Sequence, residues 1–234
     1  MVAAMLMSSC FAWGTTRQAR SFELVAHRMD VDVDGAPTAY GPPGKKTLDS
    51  LRDAHTMGRR GAPIVGYLLK DKPPYGPVVQ GPNDPAPGYY VSQTAFEDDS
   101  IENQNDPRCY VDATKINYVV LGRKARRMGA RLGDFVAVYS RRTRRAVFGI
   151  VGDAGNPSGD EGALHLLQAL GYPFYDGKRE SVEHSEIVIR FYPDSNPRHE
   201  FFRTQDALDR AARRRGVSRE FAAARGAASA AETR

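Results

Sequence analysis

Short apolar segments separated by Gly and Pro constrain the fold of this 234-residue chain more than any other sequence feature. Runs such as 63–69 and 117–121 are of strand length, and 37 of the 234 residues are Gly or Pro. No run approaches the ~20 consecutive apolar residues that a membrane-spanning helix requires. We therefore predict a mainly β fold with long loops, a few helices and no membrane span.

The apolar pattern predicts six or seven short strands and one helix buried on one side. The helix, 161–170, starts at Glu161 and ends at Gly171, and a second short helix is possible over 47–58. Residues 71–88 contain six prolines and three glycines, which predicts an extended loop. The predicted strands are 30–34, 63–69, 89–95, 117–121, 135–139, 146–151 and 186–192, with a short apolar run before them at 22–26.

Composition divides the chain into three parts. Residues 1–21 are expected to be an N-terminal tail or the remnant of an export signal, and 22–202 a single catalytic domain. Residues 203–234 are rich in Ala and Arg and predict a surface helix followed by a frayed tail. The cysteines Cys10 and Cys109 are too few for a disulfide framework or a cysteine-based zinc site, and two free thiols are expected.

Charge is unevenly distributed along the chain. The formal net charge is +5, with basic runs at 123–127 and 141–145. Such runs suggest phosphate binding, but they lack interleaved aromatic residues and adjoin strands at turns, which favours a solvated surface instead. Two stretches are acidic instead, 23–34 and 97–106.

Two carboxylates near the end of the predicted sheet form the most distinctive local pattern. Asp153 lies at the end of a predicted strand, and Glu161 follows eight residues later across a Gly- and Pro-containing loop. Glycoside hydrolysis requires such a pair, one protonated to donate to the leaving oxygen and one ionised to activate water. Helix capping by Asp160 or Glu161 and turn capping by Asp153 remain the structural alternative. His165, one helical turn after Glu161, could reach the same site.

Asp30, Asp32 and Asp34 alternate with apolar residues and predict a strand with one carboxylate face. The spacing matches the first half of a calcium-binding loop, but the twelfth position is Gly41, where a bidentate Glu is needed. A cationic ligand, basic side chains or solvent at an edge strand would each accommodate this row of charge.

Several of these segments together resemble family 75 of the glycoside hydrolases, the fungal-type chitosanases, and especially its bacterial members. The resemblance covers roughly residues 24–195 and is most specific in the last two segments named below. The residue before the catalytic Glu is usually Gly in that family, whereas here it is Asp160, and Ala163 replaces a small hydroxyl residue. The similar segments are 30–36, 110–122, 133–135, 186–193, 79–98 (containing PAPGYYVSQT) and 149–171 (containing GDAG and EGAL).

The resemblance implies a six-stranded double-psi-like β-barrel and an endo-acting, inverting chitosanase without metal or organic cofactor. Asp153 and Glu161 match the family's catalytic pair. The residues that the resemblance places in the substrate groove are Asp30, Asp32, Asp34, Tyr90, Gln93 and Thr94. It also implies secretion, for which residues 1–16 give an uncharged but short candidate signal.

Alternatives remain because chitosan is polycationic and a +5 protein does not attract it by overall charge. Selection would have to be local, with the acidic stretches flanking the cleft. If they do not flank it, a peptidoglycan-degrading glycosidase or antibacterial effector on the same scaffold is favoured. A non-catalytic, basic polymer-binding protein is the third possibility. We expect a monomer whose partner is a polysaccharide rather than nucleic acid.

Overall fold

The computed structural model describes residues 20–222, and one eight-stranded sheet organises them. No helix in this range is long and apolar enough to cross a membrane. Two single 3₁₀ turns, Thr56–Gly58 and Pro107–Cys109, lie in the long loops. The strands and helices are β1 (Phe22–Ala26), β2 (Met29–Asp32), β3 (Tyr118–Val120), α1 (Arg123–Arg127), β4 (Phe135–Ser140), β5 (Ala146–Asp153), β6 (Glu161–Ala163), α2 (Leu164–Ala169), β7 (Ser181–Val182), β8 (Ile187–Phe191) and α3 (Gln205–Arg214).

The strand order is β1-β8-β4-β5-β3-β6-β2-β7, with β2/β6 and β3/β5 parallel and the other pairs antiparallel. Only two residues join β1 to β2, although six interstrand steps separate them in the sheet. A flat sheet would put them about 29 Å apart, whereas three Cα–Cα steps span about 11 Å. The sheet must therefore curl back on itself as a half-barrel.

The prediction of a mainly β fold is confirmed, whereas the expected six-stranded double-psi barrel is not what the sheet forms. Eight strands lie in one curled sheet. Segments 63–69 and 89–95 form only isolated bridges, among them Tyr67–Ser92 and Val79–Tyr90. The two segments bridge each other and the Pro-rich loop, where missing proline N–H groups limit ladders to single bridges. The prediction of an extended loop over 71–88 is otherwise confirmed.

Two of the three helices expected from the sequence, those over 161–170 and 47–58, are not formed as predicted. Residues 161–163 form β6, which pairs in parallel with β2, and the helix begins only at Leu164. Residues 161–163 form a strand because the backbone N–H and C=O groups of Asp30–Asp32 need hydrogen-bond partners on this side of β2. Residues 161–163 supply those partners. Over 47–58, turns end in the single 3₁₀ turn Thr56–Gly58.

The C-terminal helix is part of the same packing as the sheet. Leu208, Ala211 and Ala212 of α3 are buried in the main core, and Val217 and Phe221 extend this contact beyond the helix. The expected division at 202/203 therefore does not coincide with a break in the core, because the apolar stripe of α3 needs cover. The remainder of the predicted tail, 223–234, lies outside the described residues.

A β-bulge at Gly152 determines which way the end of β5 faces. Val119 pairs with Val151, but the next residue, Val120, pairs with Asp153, so Gly152 is the extra residue. In a regular ladder Gly152 would lie beside Val120, and Asp153 would point to the opposite face. A Cβ on Gly152 would lie 2.6 Å from Cβ of Tyr118. The bulge thus needs glycine and turns Asp153 towards the face of Val120.

We predict that Gly152→Ala lowers the free energy of unfolding by about 1–3 kcal/mol, because the new methyl overlaps Tyr118. Gly81→Ala is the matched control, since a Cβ there meets nothing closer than an atom of Asp84 at 3.6 Å. Urea denaturation of both variants checks this. Equal stabilities would show that the bulge does not depend on the missing side chain.

Candidate active site

The strand register puts Asp153 and Glu161 on either side of Val120. Val120 pairs with Asp153 on β5, and the antiparallel pair Val119–Gly162 places Glu161 beside Val120 on the other side. Directly opposed residues point to the same face of a sheet. Two interstrand spacings separate their Cα atoms by about 9–10 Å.

Strand β2 adds further carboxyls to this face. Asp30 pairs with Glu161 and Asp32 with Ala163, so both aspartates share the face of Glu161. Asp32 is buried, whereas Asp30 is partly exposed and ion-paired with Arg28. The predicted strand with one carboxylate face is present, but it lies inside the sheet between β6 and β7.

Asp34 enters the cluster through a tight turn. The backbone N–H of Asp34 donates to Oδ1 of Asp32 at 2.8 Å, and Gly35 follows with φ of 75°. A Cβ on Gly35 would lie 2.0 Å from the carbonyl oxygen of Val111. The Asp-Gly sequence therefore lets the chain turn while keeping Asp34 beside the other carboxyls. No group of His, Cys, Asp and Glu within 20–222 is arranged to hold a metal ion.

Burial raises the pKa of all four carboxyls in what we call the carboxyl cluster, Asp32, Asp34, Asp153 and Glu161, and repulsion by Asp32 adds to the increase for the other three. Burial raises the pKa of Asp32 to about 6, and burial with the charge of Asp32 raises that of Glu161 to about 8. The pKa values of Asp34 and Asp153 rise well above their usual range for the same two reasons. Among the described residues, no Lys, Arg or His forms a salt bridge with the cluster.

Hydrogen bonds distinguish the two members of the expected catalytic pair. The N–H of Ala95 donates to Oδ1 of Asp153 at 2.6 Å. This bond favours the ionised form of Asp153 and so offsets part of the increase in its pKa that burial causes. The amide of Asn156 does the same for Glu161, whose pKa is raised further by nearby Asp30 and Asp160. The alternative that these acids cap α2 is excluded, because its N-cap is Ala163 and no side chain caps it.

Three tyrosine rings lead away from the cluster. The hydroxyl of Tyr40 donates to Oδ1 of Asp34 at 2.7 Å, and its ring contacts Tyr67 at 5.6 Å between centroids. Tyr67 contacts Tyr90 at 5.1 Å, which connects this predicted site residue to the carboxyls. The sequence analysis did not single out Tyr40 or Tyr67, because neither lies in a regular strand or helix. Without regular secondary structure, alternation of residues does not show which side chains share a face.

Two other predicted substrate-binding residues use their polar groups within the protein. The hydroxyl of buried Thr94 donates to the carbonyl of Phe96 and accepts from the N–H of Val111, both at 3.0 Å. The amide of Gln93 donates to the carbonyl of Val65 at 2.8 Å. Both residues fix the 92–96 segment, which carries the N–H that bonds Asp153.

Asp49 is a buried carboxyl that the sequence did not single out. Burial raises its pKa to about 7, and Asp32 is among the smaller charges that act on it. It lies in the turn-rich segment after the Gly and Pro cluster at 41–44, where an Asp predicts nothing more than a turn.

His165 and the cysteines lie apart from the carboxyl cluster. His165 is the second residue of α2, and its Nδ1 lies 2.7 Å from Oδ1 of Asn117, with burial lowering its pKa. The expected one-turn relation with Glu161 fails because Glu161 is on a strand. Cys109 is a buried free thiol, and Cys10 lies outside the described residues.

The cluster opens at the surface through Asp34 and Glu161, which are partly exposed, while Asp32 and Asp153 are buried beneath. Two other cavities, about 210 and 470 Å³ in volume, lie between β1, α1 and 158–160 and between β1, β8 and 218–220. Neither is lined by a member of the cluster. Chemically, the cluster offers protonated and ionisable carboxyls side by side, which suits general acid–base catalysis.

We predict that the protein loses stability as pH rises from about 4 to about 8. Carboxyls in an unfolded chain titrate near pH 4, whereas those of Asp32 and Glu161 have pKa values of about 6 and about 8 when folded. The folded state therefore binds more protons across this window, and its ionisation costs stability.

Replacing one of these groups should flatten the pH dependence. Glu161→Gln is expected to reduce the loss between pH 5 and 8 by at least about 1 kcal/mol. Glu102→Gln, on an exposed loop, is the control. Urea unfolding at both pH values provides the measurement, and parallel curves for Glu161→Gln and wild type would contradict the raised pKa.

Comparison with other proteins does not identify a family for this chain. No family model matches the chain, and no curated protein matches it significantly. The function has to be argued from the chain's own residues.

Proposed function

We propose that this protein is an endo-acting, inverting glycoside hydrolase that cleaves β-1,4-linked glucosamine polymers, as the resemblance to family 75 implies. The observation that carries the proposal is the pair Asp153 and Glu161, the first buried and the second partly exposed, on one sheet face on either side of Val120. Inverting enzymes place their carboxyls about 6.5–9.5 Å apart to leave room for a water. A Cα separation of about 9–10 Å is compatible with that spacing.

Glu161 is assigned as the general acid and Asp153 as the general base. With a pKa of about 8, Glu161 keeps its proton at neutral pH and can donate it to the leaving oxygen. Asp153 has the stronger support for its ionised form, because the short N–H bond from Ala95 stabilises the carboxylate. Since the two groups interact, they titrate as a pair, and the first proton to leave creates the base.

Substrate binding is assigned to the surroundings of the pair. Asp34 and Asp30 are partly exposed at the edge of the cluster, and an amine of a glucosamine polymer placed there would favour the ionised form of Asp34. Tyr90 continues the tyrosine contacts outwards and offers a ring face for a sugar. No metal or organic cofactor is part of the proposed mechanism, and such a protein would act outside the cytoplasm.

A second candidate substrate is peptidoglycan, and the acidic loop 97–106 favours it. Asp98 is ion-paired with Arg203, and Asp106 with Arg108, so part of the negative charge expected to attract chitosan is neutralised. A less cationic glycan is therefore favoured over chitosan as the substrate, while the reacting carboxyls remain the same. The positive exterior would suit an anionic cell wall.

We predict that the protein releases reducing sugar from soluble chitosan and that Asp153→Asn and Glu161→Gln each lower kcat by a hundredfold or more. Each substitution keeps the shape of the side chain but removes a general base or acid, which contribute about 10²–10⁴-fold. The control is Glu102→Gln, on an exposed loop, which should keep activity within about threefold. The anomeric form of the first product, followed by NMR, tests inversion.

The same proteins separate the alternatives. Clearing of purified peptidoglycan without release from chitosan would select the second substrate and keep the site. Activity that persists in Asp153→Asn or Glu161→Gln would show that the catalytic pair is misassigned. A folded wild-type protein inactive on both polymers would overturn the proposed function.

A further inference from the structure

Asp32 is buried, and one of its oxygens has no hydrogen-bond partner. Its Oδ1 accepts the N–H of Asp34, but Oδ2 is enclosed and, among the buried side-chain N and O atoms described, is the one without a partner. The hydroxyl of Tyr118 also lies close enough to Asp32 to favour its ionised form and lower its pKa, but its single proton is donated to the carbonyl of Asp34 at 3.0 Å. An ionised carboxylate oxygen without a donor is costly to bury.

A purely structural role would be filled better by asparagine. The carbonyl oxygen of Asn would keep the bond to the N–H of Asp34, and its NH₂ would occupy the place of Oδ2. That NH₂ could donate to the hydroxyl oxygen of Tyr118, so no atom would remain unpaired. Aspartate at this position therefore sacrifices stability, and groups that do so are characteristic of functional sites.

The charge of Asp32 acts on every other member of the cluster. It is the largest charge effect on the pKa of Asp34, of Asp153 and of Glu161. These three come from different places, the turn after β2, the end of β5 and the start of β6, and Asp32 is the group they share. Tyr118 from β3, Tyr40 and Asp49 from the loops also feel its charge.

We propose that Asp32 is a positioning residue of the site, whose charge, rather than contact with substrate, keeps Glu161 protonated at neutral pH. The enclosed Oδ2 excludes direct contact with a sugar in this conformation. When Asp32 is ionised, repulsion keeps the proton on Glu161, which is the state a general acid needs at neutral pH. This inference rests on the proposed function for its purpose, although not for its test.

The first test needs no substrate. In the full-length protein, ¹³C NMR of side-chain carboxyls follows the titration of Glu161, and Asp32→Asn is expected to lower its midpoint by about one pH unit or more. Asp30→Asn is the matched control, because Asp30 is on the same strand and face but is exposed and ion-paired with Arg28. The control should move the midpoint much less. Equal midpoints for Asp32→Asn and wild type, or equal shifts in both variants, would overturn the proposal.

The second test uses activity and distinguishes the two hypotheses. If the protein is a hydrolase, Asp32→Asn moves the alkaline limb of its pH–rate profile to lower pH, because Glu161 loses its proton earlier. A loss of kcat at all pH values with unchanged limbs would indicate a merely structural role and overturn the proposal. If no polymer is cleaved, the proposed function fails while the NMR titration still decides the role of Asp32.

Folding of the variant is itself informative. Asp32→Asn should unfold at a higher temperature than wild type at pH 8, because the unpartnered charge is removed. At pH 4 the two should be nearly equal, because Asp32 is then protonated. A lower unfolding temperature at pH 8 would contradict the argument that the charge costs stability. Should Asp32→Asn fail to fold, Asp32→Ser provides the neutral variant for the same NMR titration.

Discussion

Repulsion among four clustered carboxyls, two of them buried and two partly exposed, is the constraint on which the site depends. Asp32, Asp34, Asp153 and Glu161 share one face of the sheet, without a salt bridge to any Lys, Arg or His in the range 20–222. Neighbouring carboxylates repel each other, so they either move apart or take up protons. Here the strand register prevents separation, so the cluster responds by keeping protons at pH values where exposed carboxyls have lost them.

The rest of the fold can be understood as the frame that holds these groups together. β5 and β6 both pair with β3, and β2 pairs with β6, so the carboxyls occupy neighbouring strands in a fixed order. The core beneath includes fully buried Tyr118, Phe135 and Ile150, and α3 closes it. Apolar burial of this extent stabilises the fold enough to accommodate a few kcal/mol of electrostatic repulsion.

The sequence was informative about local features and uninformative about pairings between distant segments. Alternation around Asp30 and Asp32 and the strand that ends at Asp153 predicted two of the strands near the site. The helix expected at Glu161 was wrong, because apolar residues at helical spacing from 163 onwards do not reveal that 161–163 pairs with β2. The bulge at Gly152 was equally hidden, since one glycine in a strand does not specify which neighbour it must avoid.

For the candidate site as well, the sequence indicated the chemistry of the residues but not how they are placed relative to one another. The residue types and spacing of Asp153 and Glu161 suggested an acid–base pair, and the resemblance suggested the aspartates of 30–34. Neither identified Asp32 as the group with the unpartnered oxygen or Tyr40 as the donor to Asp34, because both depend on segments distant in sequence. Charge repulsion is a property of positions in space, so composition alone could not rank the acids.

A cationic substrate would act directly on this repulsion. A glucosamine amine near Asp34 or Asp30 would favour ionisation of the cluster, because an opposite charge lowers a carboxyl pKa. Of the catalytic pair, Asp153, which accepts the N–H of Ala95, would then lose its proton first. Glu161, exposed to the charges of both Asp32 and Asp153, would retain its proton. In this way binding of the polymer and preparation of the acid–base pair would be the same electrostatic event.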